Sequence, residues 1–542
     1  MMKVATQIRL FLKSIPCIHL AILFIFLSFA ELTKAQVLIK DSRYQIFDIE
    51  RKTILRGKTN YYLSLRYQHE WKNATKGEND LLASKYGNKI LRNNRFHIYP
   101  EFSAKGYLNG GNIQKKGLFI DLAPTITLAS RYNLSQDKSF NITGWTRLEK
   151  HSMIGSDEFN VDIKGGRPIL TSDFSWDQAI GWTDMPGSDN SWIEYRVGDG
   201  GVTINYPGGD FTFGKTIPIW SSGYSGQLWL SNKVSSFTFF GLRHSLSEKW
   251  SFAFLHGSLN SNIRDSTFIG YYPKGGGLPL IRKMIAVHRL DFTPRDNIRI
   301  GIGESVVYGA RSIELNYTLP LVPYWTAQAD LSNSDNLQIV VDWEVIKRRT
   351  GRLYGTLYLD EWNLIETFNP KSSRNWVAFL MGGTFNPSFL PWKALFRFEM
   401  TRISPYVYVH RSPVNTFAHR SVPLGHWIGP NGDGVFSSIE ARPLNYLWIQ
   451  LYASFARRGE VDLQSVNRQY RKKKVGFLYK SYNGDPENRS VVGISSVLSL
   501  NDWCRINVDI FSSNWRRHEL FDSIQRANTN KIDGYISILI GF

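Results

Sequence analysis

Three histidines, His410, His419 and His426, stand at spacings of nine and seven residues in a segment dense with aromatic and basic side chains. Imidazoles can ligate a metal or move protons. The spacing matches no zinc pattern, and no nearby Cys or Glu completes a set, so neither a metal nor another cofactor is implied. Catalysis by His410 or His426 with Asp433 lacks a nucleophile in a recognisable setting. Only Glu361 and Asp433 offer carboxylates for an outer-membrane hydrolase, and they match no paired arrangement. The chain is therefore expected not to be an enzyme. The residue types suit recognition instead: Tyr406, Tyr408, His410, Arg411, His419, His426 and Trp427 supply rings that stack on sugars and donors that hydrogen-bond to them. The competing explanation is a long loop folded into a barrel mouth, its path fixed by Pro and Gly.

Two further clusters share this character. Gly303-Glu304 through Leu315 is followed by Pro320, Pro323, Tyr324 and Trp325. Glu304, Arg311 and Glu314 lie where a strand ends, so they would either pin a returning loop through an Arg–Glu pair or contact a ligand. Phe213 to Trp220, with Gly223 and Gly226, permits tight bends but contains no phosphate-loop pattern. Trp362, after Asp360-Glu361, would serve as an aromatic platform or as an interfacial girdle residue. The run Arg471–Lys474 suits a solvated loop base.

The elements that position these clusters have a clear rhythm. Segments of about ten residues alternate apolar and polar side chains, the period of a strand with two different faces, and that length crosses a bilayer when tilted. From residue 235 the expected strands are 235–246, 248–257, 283–294, 296–305, 336–346, 351–360, 375–386, 392–402, 435–443, 445–456, 488–500, 502–513 and 530–542. Their connections run short, long, short, long, and Pro, Asn, Asp and Gly at the short ones are what tight turns require. In 296–305, Ile298, Ile300 and Ile302 oppose Arg299, Gly301 and Gly303; in 392–402, Phe396, Phe398 and Met400 oppose Arg397, Glu399 and Thr401. In 502–513, Ile506, Val508 and Ile510 oppose Arg505, Asn507 and Asp509. A charge facing lipid costs a few kcal/mol at mid-bilayer, so Arg397, Arg505, Glu344 and Asp509 should face a lumen.

Together these features predict an all-β, antiparallel, up-and-down transmembrane barrel of about 16 to 18 strands. Its long extracellular loops would fold into the mouth. Residues 191–542 would form the main barrel. Residues 36–190 are less regular, with strand-like runs at 60–71, 94–104 and 138–149, a helical spacing at 78–92, and room for a periplasmic cap or plug. Runs at 191–198, 200–206 and 210–215 complete the set.

Residues 1–35 read as a cleaved export signal: Lys3, Arg9 and Lys13 precede an apolar run, Ile18 to Ala30, and a small-x-small site at Thr33-Lys34-Ala35. No later stretch is long and apolar enough for a membrane helix. The formal net charge is +19 and aromatic residues make up 14%. In an exported protein a basic balance suits anionic lipid or an acidic polysaccharide better than nucleic acid. Cys504 is the sole cysteine beyond the leader, so no intramolecular disulfide is possible. A polar lumen would also be compatible with a channel for small solutes.

The sequence resembles the Wzi family of capsule-assembly proteins in the form found in the Bacteroidetes. The likeness is carried by Phe211-Thr212-Phe213-Gly214-Lys215 with Trp220, and by Gly303-Glu304, Tyr308-Gly309, Arg311 to Leu315 and Pro320. It is strongest over Ser404 to Tyr408, His410-Arg411, Asn415-Thr416 and Pro423 to Asn431. The resemblance implies an outer-membrane barrel of about 18 strands, acting as a lectin for capsular polysaccharide at the cell surface. Separately, the C-terminal strand ending in Phe542 is expected to engage the barrel-assembly machinery. Two departures stand out. Enteric members carry a helical bundle at the periplasmic end, whereas 36–190 shows little helical periodicity, and Lys215 stands where related chains often have Arg.

Overall fold

The computed structural model describes residues 43–59, 66–67, 96–111, 117–134, 140–155, 161–162, 169–170, 192–232, 234–271, 277–331, 334–361, 376–390, 393–459, 487–501, 503–516 and 528–541. The leader, the helical spacing at 78–92, Trp362, Arg471–Lys474 and Phe542 lie outside these residues, as does all of 60–71 except Arg66 and Tyr67.

Eighteen antiparallel strands close into one barrel. They are β1 Phe96–Gly111, β2 Gly117–Asn133, β3 Asn141–Gly155, β4 Trp192–Tyr206, β5 Gly209–Thr216, β6 Phe237–Ser245, β7 Trp250–Arg264, β8 Leu280–Arg295 and β9 Ile298–Gly309. The rest are β10 Asn336–Lys347, β11 Gly351–Glu361, β12 Trp376–Phe385, β13 Lys393–Ile403, β14 Gly432–Leu444, β15 Leu447–Arg458, β16 Glu487–Ser499, β17 Cys504–Arg516 and β18 Asn528–Gly541. Each strand pairs with its sequence neighbour, and β1 closes the ring on β18, with Tyr107 opposite Tyr535. Every connection longer than ten residues leaves from one end of the barrel, and the connections at the other end have seven residues or fewer. A closed ring leaves no strand edge unpaired, the condition for crossing hydrocarbon.

The alternation read from sequence sorts to two sides of the wall. Ile300, Ile302, Phe398, Met400 and Ile510 are exposed on the outer face, while Arg397, Glu399, Thr401 and Asp509 are buried within. Exposed Leu353, Leu357, Phe379, Met381, Ile439, Leu451, Ile494 and Ile536 continue the outer apolar belt around the wall.

Three elements differ from the sequence expectation. The runs 191–198 and 200–206 are a single strand, β4. β2 contains Pro124, which cannot donate to a ladder and breaks the strand signal; the register nevertheless continues across it, with Leu122 opposite Ser152 and Thr125 opposite Glu149. A helix, α1 (Arg43–Arg56), closes the short-turn end from inside. Its buried stripe mixes Phe47 and Ile54 with Glu50 and Thr53, so hydrophobic periodicity hardly marks it. The Ile54 carbonyl accepts from the Arg349 N–H, and the Thr59 N–H donates to the Asp296 carbonyl, which ties the helix end to two short turns.

Candidate functional site: inward loops beneath a basic rim

The connection 217–236 does not stay above the barrel; it folds down into it. Ser221 donates to an Asp342 carboxylate oxygen (2.8 Å), and Trp229 donates its indole N–H to the Ser305 hydroxyl (3.0 Å). The backbone N–H groups of Tyr224 and Ser225 donate to the two oxygens of Glu399 (2.5 and 2.7 Å), and the Tyr354 hydroxyl donates to the same carboxylate. Buried carboxylates need such partners, because an uncompensated charge in a low-dielectric interior is strongly destabilising. The Arg397 guanidinium lies 3.8 Å from the Tyr224 ring centroid.

Below this segment the lumen is crossed by ion pairs. Arg397 reaches Glu50 of α1 (2.5 Å) and Glu440 (3.1 Å); Arg352 bridges Glu50 (3.2 Å) and Glu344 (2.8 Å). The two arginines hold the Glu50 carboxyl below the ordinary carboxylate range, against a desolvation that acts in the opposite direction. Arg289 joins Asp291 and Asp342, and Arg299 adds a second contact to Asp291 (3.2 Å). Asp509 accepts from Tyr452, Ser495 and Tyr535.

Above 217–236 lies the connection 404–431, also turned inward. The Tyr408 hydroxyl donates to the Leu228 carbonyl (2.6 Å) and accepts from the His426 N–H, while its own N–H donates to Asp360 (2.5 Å). The Ser231 N–H donates to the Leu424 carbonyl, and Arg420 N–H to the Asn260 carbonyl. The two segments and the wall form one apolar core containing Trp220, Trp229, Leu255, Val307, Tyr358, Tyr408, Phe417 and Leu424. Inward positions such as Leu255, Ile285, Val287 and Val307 are therefore apolar where the loops enter, and the simple polar-in pattern fails there for a packing reason.

The sequence candidates divide by place. Trp220 is fully buried and stacked on Trp229 (4.9 Å); Tyr406 packs beside Trp376. His410, His419 and His426 are buried, with Ser412, Asn260 and Ile428 N–H groups donating to their Nδ1 atoms. Burial, with Arg411 beside it, lowers the His410 pKa to about 4, so the ring is neutral near pH 7. Trp427 is half-buried and Arg411 exposed at the rim. Arg311, Glu314, Tyr324 and Trp325 do not join this cluster. They belong to a different loop, in which Arg311 grips Asp335 (2.9 and 2.5 Å), and Tyr324 stacks on His288 (4.1 Å) on the outer side of the wall.

The rim adds residues that sequence reasoning did not select. Arg264 and Arg282 are exposed near the strand ends that flank the 265–279 connection, in which Phe268 and Tyr271 are exposed, and Arg420 is half-buried. Their signal, single arginines at the ends of β7 and β8, is visible only once the register puts them at the long-loop end. Among the described residues no cluster of His, Cys, Asp and Glu could hold a metal ion.

No family model matches the sequence, and no curated protein matches it. Solved structures do match in fold. The Escherichia coli outer-membrane protein Wzi, described as a carbohydrate-binding β-barrel involved in group 1 capsule assembly, is 12% identical, with 94% of this chain and 100% of that chain covered and a TM-score of 0.55. OccAB4 of Acinetobacter baumannii (8% identity, 82% and 98% covered) and OprD of Pseudomonas aeruginosa (9%, 82% and 94%) align with TM-scores of 0.43 and 0.42. At these identities the likeness to Wzi is one of fold: this chain folds as an outer-membrane β-barrel of 18 strands.

Proposed function

We propose that the protein sits in the outer membrane with its long loops outside the cell. There it binds an acidic surface polysaccharide, such as a capsule, and assists its retention or assembly without acting as an enzyme. One observation carries this: α1 and two inward loops enter the lumen, while the long-loop end presents exposed Arg264, Arg282 and Arg411, with Phe268 and Tyr271 exposed in the 265–279 connection. Arginines pair with sugar carboxylates and rings stack on sugar faces. The motif resemblance and the shared fold with a carbohydrate-binding barrel support the same conclusion. Lipid would surround the apolar belt, and the barrel-assembly machinery would engage the C-terminal strand ending in Phe542.

The test is retention of purified, detergent-solubilised protein on an immobilised acidic capsular polysaccharide, with a neutral glucan as control. Retention should be selective for the acidic polymer, fall with salt, and weaken at least tenfold in Arg411→Ala combined with Tyr271→Ala. The variant should remain heat-modifiable on gels. Equal retention on both polymers, or no loss in the double variant, would overturn the proposal.

A further inference from the structure

The connection 310–331 behaves unlike the two inward loops. On β9, Ser305 and Val307 face the lumen, Ser305 by its bond to Trp229 and Val307 by its place in the interior core. Glu304, Val306 and Tyr308 therefore point outward, with Ile300 and Ile302. Across the ladder His288 is opposite Glu304 and Ala286 opposite Val306, so these face outward too. Yet Ala286, Val306 and Tyr308 are fully buried, because the connection folds down over the outer wall and covers them with Tyr317, Tyr324 and Ala327. The last two belong to a short helix, α2 (Tyr324–Asp330).

The covered patch is polar at its heart. His288 Nε2 lies 3.3 Å from Glu304, and its Nδ1 is 2.9 Å from the Pro320 carbonyl; the Tyr324 N–H donates to the same Glu304 oxygen (2.7 Å). His256 Nε2 meets the Tyr308 hydroxyl at 2.9 Å. Depth decides what this means. Strands rise about 3.4 Å per residue and tilt by about 40°, so each residue climbs roughly 2.6 Å along the barrel axis. Phe292 stacks on Trp250 (4.3 Å) near the short-turn end. His288 then lies about 10 Å above it and Met284 about 21 Å above it, inside an apolar band about 25 Å tall. The outer surface of the covering segment is itself apolar. Leu315 is 74% and Leu321 79% exposed, with Ile313, Leu319 and Trp325 also exposed. Among exposed residues of 310–331 only Ser312 and Asp330, near its two ends, are polar.

We propose that 310–331 is embedded in the outer leaflet, where Leu315, Leu319, Leu321 and Trp325 contact lipid acyl chains and seal the His288–Glu304 pair from the bilayer. The occupant is lipid hydrocarbon because the patch continues the outward apolar belt of Ile300 and Ile302 along the same strand toward the long-loop end. A loop made this way replaces a section of wall: outward polar side chains find partners beneath it, and its own surface supplies the missing greasy face. Trp325 would serve as an interfacial anchor.

The proposal rests on the membrane placement above, and its test separates the two. Cys504→Ser would be combined with single cysteines at Leu315, Leu321, Ile302 or Arg411, nitroxide-labelled, in vesicles of phosphatidylethanolamine and phosphatidylglycerol. Collision with oxygen, which partitions into hydrocarbon, is compared with collision with a water-soluble nickel chelate. Labels at 315 and 321 should favour oxygen as the label at 302 does, and the label at 411 should favour nickel. Nickel accessibility at 315 and 321 equal to that at 411, with 302 protected, would overturn the embedding. Nickel accessibility at 302 would instead overturn the membrane placement itself. Spin–spin broadening at 321 that vanishes on dilution with unlabelled protein would put a second copy on the patch and also overturn it.

Discussion

At the residue scale, His410 makes the inward loop sensitive to acid. An unfolded histidine titrates near 6.5, and the buried ring near 4. A native pKa below the unfolded one means that the open loop takes up the proton first. The stabilisation is therefore complete above pH 6.5 and lost as pH falls toward 4, by an amount on the order of 3 kcal/mol. Hydrogen exchange of loop 404–431 should accelerate between pH 6.5 and 4 beyond its intrinsic pH dependence, and His410→Phe should remove that excess. An identical excess in the variant would contradict the assignment. Trp229 supplies a second check. Its ring stacks on Trp220 and its N–H bonds to Ser305, so Trp229→Ala should lower stability by about 3–5 kcal/mol, read as an earlier urea midpoint on heat-modifiability gels. Arg411 and Trp427 are expected from the sequence as recognition residues; in the structure Arg411 is exposed and Trp427 is half-buried against the interior core. Tyr406, Tyr408 and the three histidines have the same chemistry but lie in the core. Residue type alone cannot tell a ring that stacks on sugar from one that stacks on its neighbour.

At the element scale, packing of the inward loops depends on close backbone approach. A Cβ at Gly425 would lie 2.3 Å from the Tyr408 hydroxyl and 2.5 Å from the Leu228 carbonyl, two groups that bond to each other. Gly425→Ala should weaken loop packing by about 1–3 kcal/mol. It should expose 404–431 to limited proteolysis while the barrel stays folded; an uncleaved loop at wild-type rates would count against the packing. Strands were the most legible elements, since alternation and turn residues act locally. The boundaries from β6 onward fall within a few residues of the expected runs, except that β7 reaches Arg264. Less visible were β2, interrupted by Pro124, and α1, whose buried face carries Glu50 and Thr53. Glu50 is tolerated because Arg352, Arg397 and Thr384, all more than 300 residues away in sequence, meet it, and no local pattern encodes such a pairing.

At the scale of the whole molecule, the same wall deals with three environments. Its outer belt is apolar, its lumen is crossed by ion pairs and entered by two loops, and its rim is basic. The direction in which each long connection folds was not legible. Loops 217–236 and 404–431 turn inward and 310–331 outward, although all three contain Pro and several aromatic residues. What separates them is the parity of the wall residues they meet, which only the register supplies. On the proposed binding role the lumen carries no steady current. Single-channel recording in a planar bilayer tests this most directly. The purified protein should insert without a steady open conductance in 1 M KCl, and deletion of 217–236 together with 404–431 should give stable open steps. A steady conductance from the intact chain would contradict the closed lumen and favour a channel for small solutes.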